Sequence, residues 1–126
     1  MFTPARPRWP QVNDGHFMHV GAFLQVSGTA REPAGLPTET QRRAESRDKA
    51  LIDAWQRLLA YIHNLPVPGY GYVRVRAQEE PEFAKRLESL VYSSQVVETR
   101  YSGDVAAVVI RIGKSRINQL LNSDFR

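Results

Sequence analysis

The chain has 126 residues, 42% of them hydrophobic, which supplies one core and leaves no room for a second folded domain. Cysteine is absent, so disulfides, thiolate nucleophiles, Cys-held zinc and iron–sulfur clusters are excluded within these residues. Seventeen Lys and Arg against thirteen Asp and Glu give a net charge of +4, an ordinary surface balance with a mild bias towards acidic partners, and no run of apolar residues is long enough to span a membrane.

Residues 1–19 carry three of the eight prolines, in Thr3-Pro4-Ala5-Arg6-Pro7-Arg8-Trp9-Pro10, and then the turn signal Asn13-Asp14-Gly15. Proline fixes φ and turns the residue before it away from the helix, so this stretch is expected to be an extended arm, and its Arg residues do not suit the apolar core of a signal peptide. Trp9 and Phe17 are too apolar for a solvated tail and predict a strap that lies on its own domain or on a neighbouring copy. A single domain over residues 20–126 follows. In Val20 to Ala30, Ala22, Leu24 and Val26 alternate with Phe23, Gln25 and Ser27, the period of a strand. Pro33, Gly35 and Pro37 then punctuate a loop.

Thr38-Glu39-Thr40-Gln41 fits a capping box. Behind it Ala44, Leu51, Ala54, Trp55, Leu58, Leu59 and Ile62 fall at helical spacing, with Arg43, Asp48, Asp53 and Arg57 on the wet side. A helix from Thr38 to Asn64, at about 1.5 Å per residue, would be roughly 39 Å long, so its charged first turns, with Arg43 and Arg47, are expected to project beyond the sheet. Tyr70 to Arg76 alternates and predicts a short edge strand. Pro81, Phe83, Ala84, Leu87, Leu90 and Val91 predict a second, shorter helix. Ser94 to Tyr101 and Val105 to Ile112 flank the turn signal Ser102-Gly103-Asp104 and predict a hairpin, followed by a terminal helix from near Ser115 with Ile117, Leu120 and Leu121 inward. The expected fold is α+β: a small, mostly antiparallel sheet of three or four strands, with a long and a short helix on one face and a C-terminal helix.

The residues offer little catalytic chemistry. Asp14, His16 and His19 resemble loose metal-ligand spacing, but the two histidines precede a strand, where i and i+3 do not align, and no metal site is expected. His63 suits a helix end, where a cationic ring meets the macrodipole. Ser27, Ser46, Ser93, Ser94 and Ser115 lack a Gly-x-Ser-x-Gly turn, and Glu79, Glu80 and Glu82 flank a proline at a helix start, where negative charge is favoured on structural grounds. Gly69-Tyr70-Gly71-Tyr72 is too short and bulky for a dinucleotide loop. No catalytic, cofactor or metal residues are expected, and the chain reads as non-enzymatic. Tyr70, Tyr72, Arg74 and Arg76, with Lys114, Arg116 and the arm's Arg6, Arg8 and Trp9, interleave rings with cations as single-stranded nucleic acid would require, although charges on an edge strand also serve to prevent aggregation.

Val26-Ser27-Gly28-Thr29-Ala30, followed by a helix carrying Ala44, Ala50, Asp53-Ala54-Trp55 and Leu58-Leu59-Ala60-Tyr61-Ile62, resembles the LPP-type small bacterial lipoproteins and the N-terminal module of flagellar assembly protein T. The hairpin from Val96-Val97 to Ile112 is similar to the closing strands of that module. The resemblance covers residues 20–112 and lacks the lipidation cysteine of the lipoprotein branch. It implies a non-enzymatic structural subunit of a bacterial envelope assembly, of the ring or disc type around a flagellar motor. Such a subunit would be periplasmic or outer-membrane-associated and would act through homo-oligomeric contacts and other envelope or flagellar proteins. Independently of it, alanines at 50 and 54 would let a helix lie close on a sheet. The expected contact residues are Trp9, Phe17, Arg43, Arg47, Tyr70, Tyr72, Arg74 and Arg76. A basic nucleic-acid or anionic-polymer binder is the alternative.

Overall fold

Ten elements follow one another in the computed structural model, which describes residues 6–126; Met1 to Ala5 of the expected arm lie outside the described residues. Strands β1 (Phe17–Val20) and β2 (Phe23–Arg31) form a hairpin in which Val20 pairs with Phe23. Its two-residue turn begins at Gly21, whose φ of 57° is the left-handed conformation such a turn requires. The strand expected from Val20 onward is thus the second of two, and the end of the arm is the first.

Helix α1 (Glu39–His63) begins where the capping signal predicts, with Thr38 Oγ1 accepting a hydrogen bond from the Gln41 amide at 3.1 Å. Its buried stripe is Ser46, Ala50, Ala54, Leu58, Tyr61 and Ile62. Leu51, Trp55 and Leu59 sit half-buried at the margin, and Ala44 is exposed. Small residues on the stripe bring the helix axis onto β2 at Gly28, where a Cβ would stand 2.2 Å from the Ala50 carbonyl oxygen and 2.3 Å from the Ala54 nitrogen. The charged first turns do not stand free, because the Arg43 guanidinium lies 5.1 Å from the centre of the Tyr101 ring.

The edge strand expected over Tyr70–Arg76 is not present. Strands β3 (Pro66–Val67) and β4 (Gly71–Tyr72) make a minimal hairpin, and helix α2 (Val73–Glu79) follows at once. Gly69 and Gly71 both take positive φ and end the extended run. The Val73 amide donates to the Leu65 carbonyl at 2.9 Å, and a helix from there places fully buried Val73 and half-buried Ala77 on one side. Helix α3 (Pro81–Tyr92) has proline in its first turn and buries Phe83, Leu87, Leu90 and Val91.

Strands β5 (Gln95–Ser102) and β6 (Val105–Gly113) form the predicted hairpin, with Gly103 in the left-handed conformation at its turn. A bulge between Val96 and Glu98 sets Val97 out of register. Helix α4 (Lys114–Leu121) closes the chain and buries Ile117 and Leu121. The fold is α+β, with a four-stranded antiparallel sheet in the order β1-β2-β6-β5. Its inner face presents Leu24 and Val26 from β2 and Ala106, Val108, Ile110 and Ile112 from β6 to α1, and the side chains of α3 and α4 complete the same core.

The arm is a strap on its own domain. Trp9 is 5% exposed, with its ring 5.1 Å from that of Phe125. Its amide donates to the Arg126 carbonyl at 3.0 Å, and the Arg126 amide donates to the Pro7 carbonyl at 2.9 Å, the pattern of a parallel pair. Tyr61 Oη donates to the Pro10 carbonyl at 2.8 Å, and Phe17 stacks on the Tyr61 ring at 5.3 Å. Asn118 holds the other partner in place: its amide nitrogen donates to the Phe125 carbonyl, and its Oδ1 accepts from the Phe125 amide.

Candidate functional site: an open sheet face and a basic pocket

Side chains alternate across a strand, so the register that buries Leu24 and Val26 turns Phe23, Gln25 and Ser27 outward. Opposite them on β6 stand Val109 and Arg111, and on β1 Met18 and Val20 point the same way. Among the described residues no helix covers this face: Met18 is 61% exposed, Val20 42%, Val97 39% and Phe23 37%. A groove of about 580 Å³ runs along it between Met18, Gln25 and Ser27 on one side and Val97, Glu98 and Arg100 on the other. The rim is polar. Arg111 lies 4.5 Å over the Phe23 ring and donates to Gln95, and Arg100 donates to Glu98 two residues away.

One edge of the groove brings His16 beside Ser27. Their side chains are 3.3 Å apart, which has the outline of a nucleophile and base. The chemistry does not follow, because His16 Nδ1 lies 2.9 Å from the Ser27 carbonyl and must therefore donate to it, leaving no lone pair there to take the hydroxyl proton. Asp14 accepts from the His16 backbone amide and not from the ring. His16 and His19, three apart on extended chain, go to opposite sides of the sheet, and among the described residues no three His, Asp or Glu side chains group as metal ligands.

The residues expected to make contacts fall into separate places. Trp9 and Phe17 serve the strap. Arg43 pairs with Glu39 at 2.9 Å, and Arg47 lies near Asp48 at 3.8 Å, both as exposed residues of α1. Tyr70 and Glu80 interact, which raises the phenol and lowers the carboxyl. Arg74 lies 4.7 Å over Tyr72 and donates to Asn64 at 2.7 Å, and Arg76 lies 4.0 Å over Phe83 while pairing with Glu80 at 3.0 Å. The ladder of rings and cations expected on one strand is therefore replaced by cations that cover the molecule's own rings, two of them from a helix. His63 ends α1, the position expected of it. Burial, and then the Arg74 charge, hold its imidazole below the usual 6.5 against a smaller pull from Glu88.

A second concavity, of about 580 Å³, was not legible in the sequence because its walls come from four distant segments. Arg8, Trp9 and Gln11 of the strap, His19 of β1, Lys114 at the start of α4 and Arg126 surround it. His19 faces the Tyr61 ring with centroids 6.4 Å apart, and both of its ring nitrogens are shielded from solvent without a hydrogen-bond partner. Burial lowers its pKa first and the Lys114 charge second; the Pro10 carbonyl, which accepts from Tyr61, pulls the other way without completing a bond to the ring. Lys114 Nζ donates to the Gly21 carbonyl at 3.1 Å. No family model, curated protein or solved structure matches the chain.

Proposed function

We propose that the chain is a non-enzymatic assembly subunit that associates with copies of itself through the open face of its four-stranded sheet. The observation that carries this reading is that face: Met18, Val20, Phe23 and Val97 are substantially exposed on it, and Met18 and Val97 line one groove together with Glu98 and Arg100. A two-fold pairing of two such faces would remove the apolar side chains from water and set each Glu98 beside the other copy's Arg100, the self-complementarity an isologous contact needs. The strap does not supply this contact, since Trp9 is already seated on Phe125 of its own chain.

Sedimentation of the purified protein over a wide concentration range tests the reading. A dimer or larger species that becomes monomeric in the M18K/V97E variant, with far-ultraviolet circular dichroism unchanged, supports it. A wild-type chain that stays monomeric at the highest concentration overturns it. Placement of the assembly at the bacterial envelope, with other envelope proteins as partners, is supported by the resemblance over residues 20–112 alone. Fractionation of the bacterium that makes the protein tests that placement, and recovery solely from the cytosol removes it.

A further inference from the structure

We infer that the pocket between the strap, β1 and the start of α4 is a binding site for a small oxyanion, of the phosphate or phosphomonoester class. Three cationic side chains, Arg8 of the strap and, more than a hundred residues further along the chain, Lys114 and Arg126, line one concavity. Among the described residues none of the three is paired with a carboxylate, although ten ion pairs form elsewhere, including Arg6 with Asp124 on the same strap and tail. Folding brings these like charges together, which raises the potential inside the pocket and favours an anion there. Arg8 and Arg126 carry guanidinium forks of the kind that bind a tetrahedral oxyanion, and Lys114 adds a point charge.

His19 lines the same concavity and can report on it. Each of its ring nitrogens is shielded from solvent and has no hydrogen-bond partner, so the ring senses the pocket through charge and not through direct contact. The volume, about 580 Å³, exceeds that of phosphate and lies in the range of small-ligand sites, so an organic group esterified to the anion has room beside Gln11. The site is separate from the open sheet face, and its failure would leave the assembly reading untouched.

The imidazole of His19 is the reporter. Lys114 from α4 faces it with positive charge, Arg8 and Arg126 line the same pocket, and Tyr61 faces it from α1 with a neutral ring. Burial is the larger cause of its lowered pKa, and an anion in the pocket offsets the smaller lowering by the Lys114 charge. The experiment is an NMR titration of the His19 ring in the full chain with inorganic phosphate, with glycerol phosphate and with sodium chloride at matched ionic strength. The expected result is saturable movement of the His19 signals by phosphate or its monoester, a rise in the His19 pKa, and roughly tenfold weaker binding in the R8A/K114A variant. Arg8→Ala alone changes only an exposed side chain and should still weaken binding, which keeps the test open if the double variant folds poorly. Equal shifts with chloride, no shift at millimolar phosphate, or unchanged affinity in both variants overturns the site. Retention of a single-stranded oligonucleotide that phosphate fails to displace overturns it in favour of a polymer surface. Saturation by free phosphate and not by the monoester keeps the anion and discards the esterified ligand.

Discussion

Gly28 shows how one residue can set the distance between two layers. A methyl group there would collide with the Ala50 carbonyl and the Ala54 nitrogen, both backbone atoms of α1, so nothing flexible can give way. Gly28→Ala is expected to cost at least about 3 kcal/mol, the upper range for overpacking, measured by urea unfolding. Gly103→Ala meets no neighbour and should cost about 1 kcal/mol for its left-handed backbone alone. At the same scale, His19 and His63 both resist protonation in the fold. The unfolded chain binds those protons near 6.5 while the folded chain binds them only at lower pH, so stability is full above 6.5 and declines as pH falls below it. His19→Gln should flatten part of that decline in a series of melting temperatures at stepped pH. Gly28 and the alanines that face it were readable as small residues. That they meet was readable only as an expectation of close packing, since the positions lie more than twenty residues apart.

Among the elements, the long helix and the β5–β6 hairpin were legible because each states its own ends: a capping threonine and a proline-rich stop for α1, a tight glycine turn for the hairpin. Thr38→Ala removes the acceptor for the Gln41 amide and is expected to lower stability by about 1 kcal/mol, read from thermal unfolding. Val73-Arg74-Val75-Arg76 misleads for a physical reason. Four alternating residues match the period of a strand but are too few to exclude a helix, and what decides between them is the burial of Val73 and Ala77 against residues far away in sequence. Strand β1 was hidden for the opposite reason. Its alternation, Phe17 and His19 against Met18 and Val20, is present but occupies only four residues at the end of a proline-rich arm.

For the whole molecule, pattern and length led to one α+β domain, and the sheet order that leaves one face uncovered came only with the register of the strands. The candidate surfaces were less legible than the fold. Met18, Val20 and Phe23 belong to a single hairpin whose first strand was not expected, and the cations of the pocket are brought together by the strap. Deleting Met1 to Pro10 should leave α1 and the sheet folded while exposing Phe125. Circular dichroism should change little, the melting temperature should fall, and amide exchange at Arg126 should speed up markedly. Global unfolding of that shortened chain would show that the strap is part of the core.

The strap and the tail run side by side in the same direction, joined at Arg126 by hydrogen bonds to Pro7 and Trp9. A load applied between the two ends of the chain would therefore pull the segments past each other and stress both bonds together, in shear, with the Trp9 ring as a wedge against Phe125. In a single-molecule pulling experiment the first rupture should release the stretch from Trp9 to Phe17, a gain of about 25 to 30 Å at the reach of an extended chain. Trp9→Ala should lower the force of that first event and leave the later ones in place. The junction thus acts as a mechanical fuse for the domain behind it.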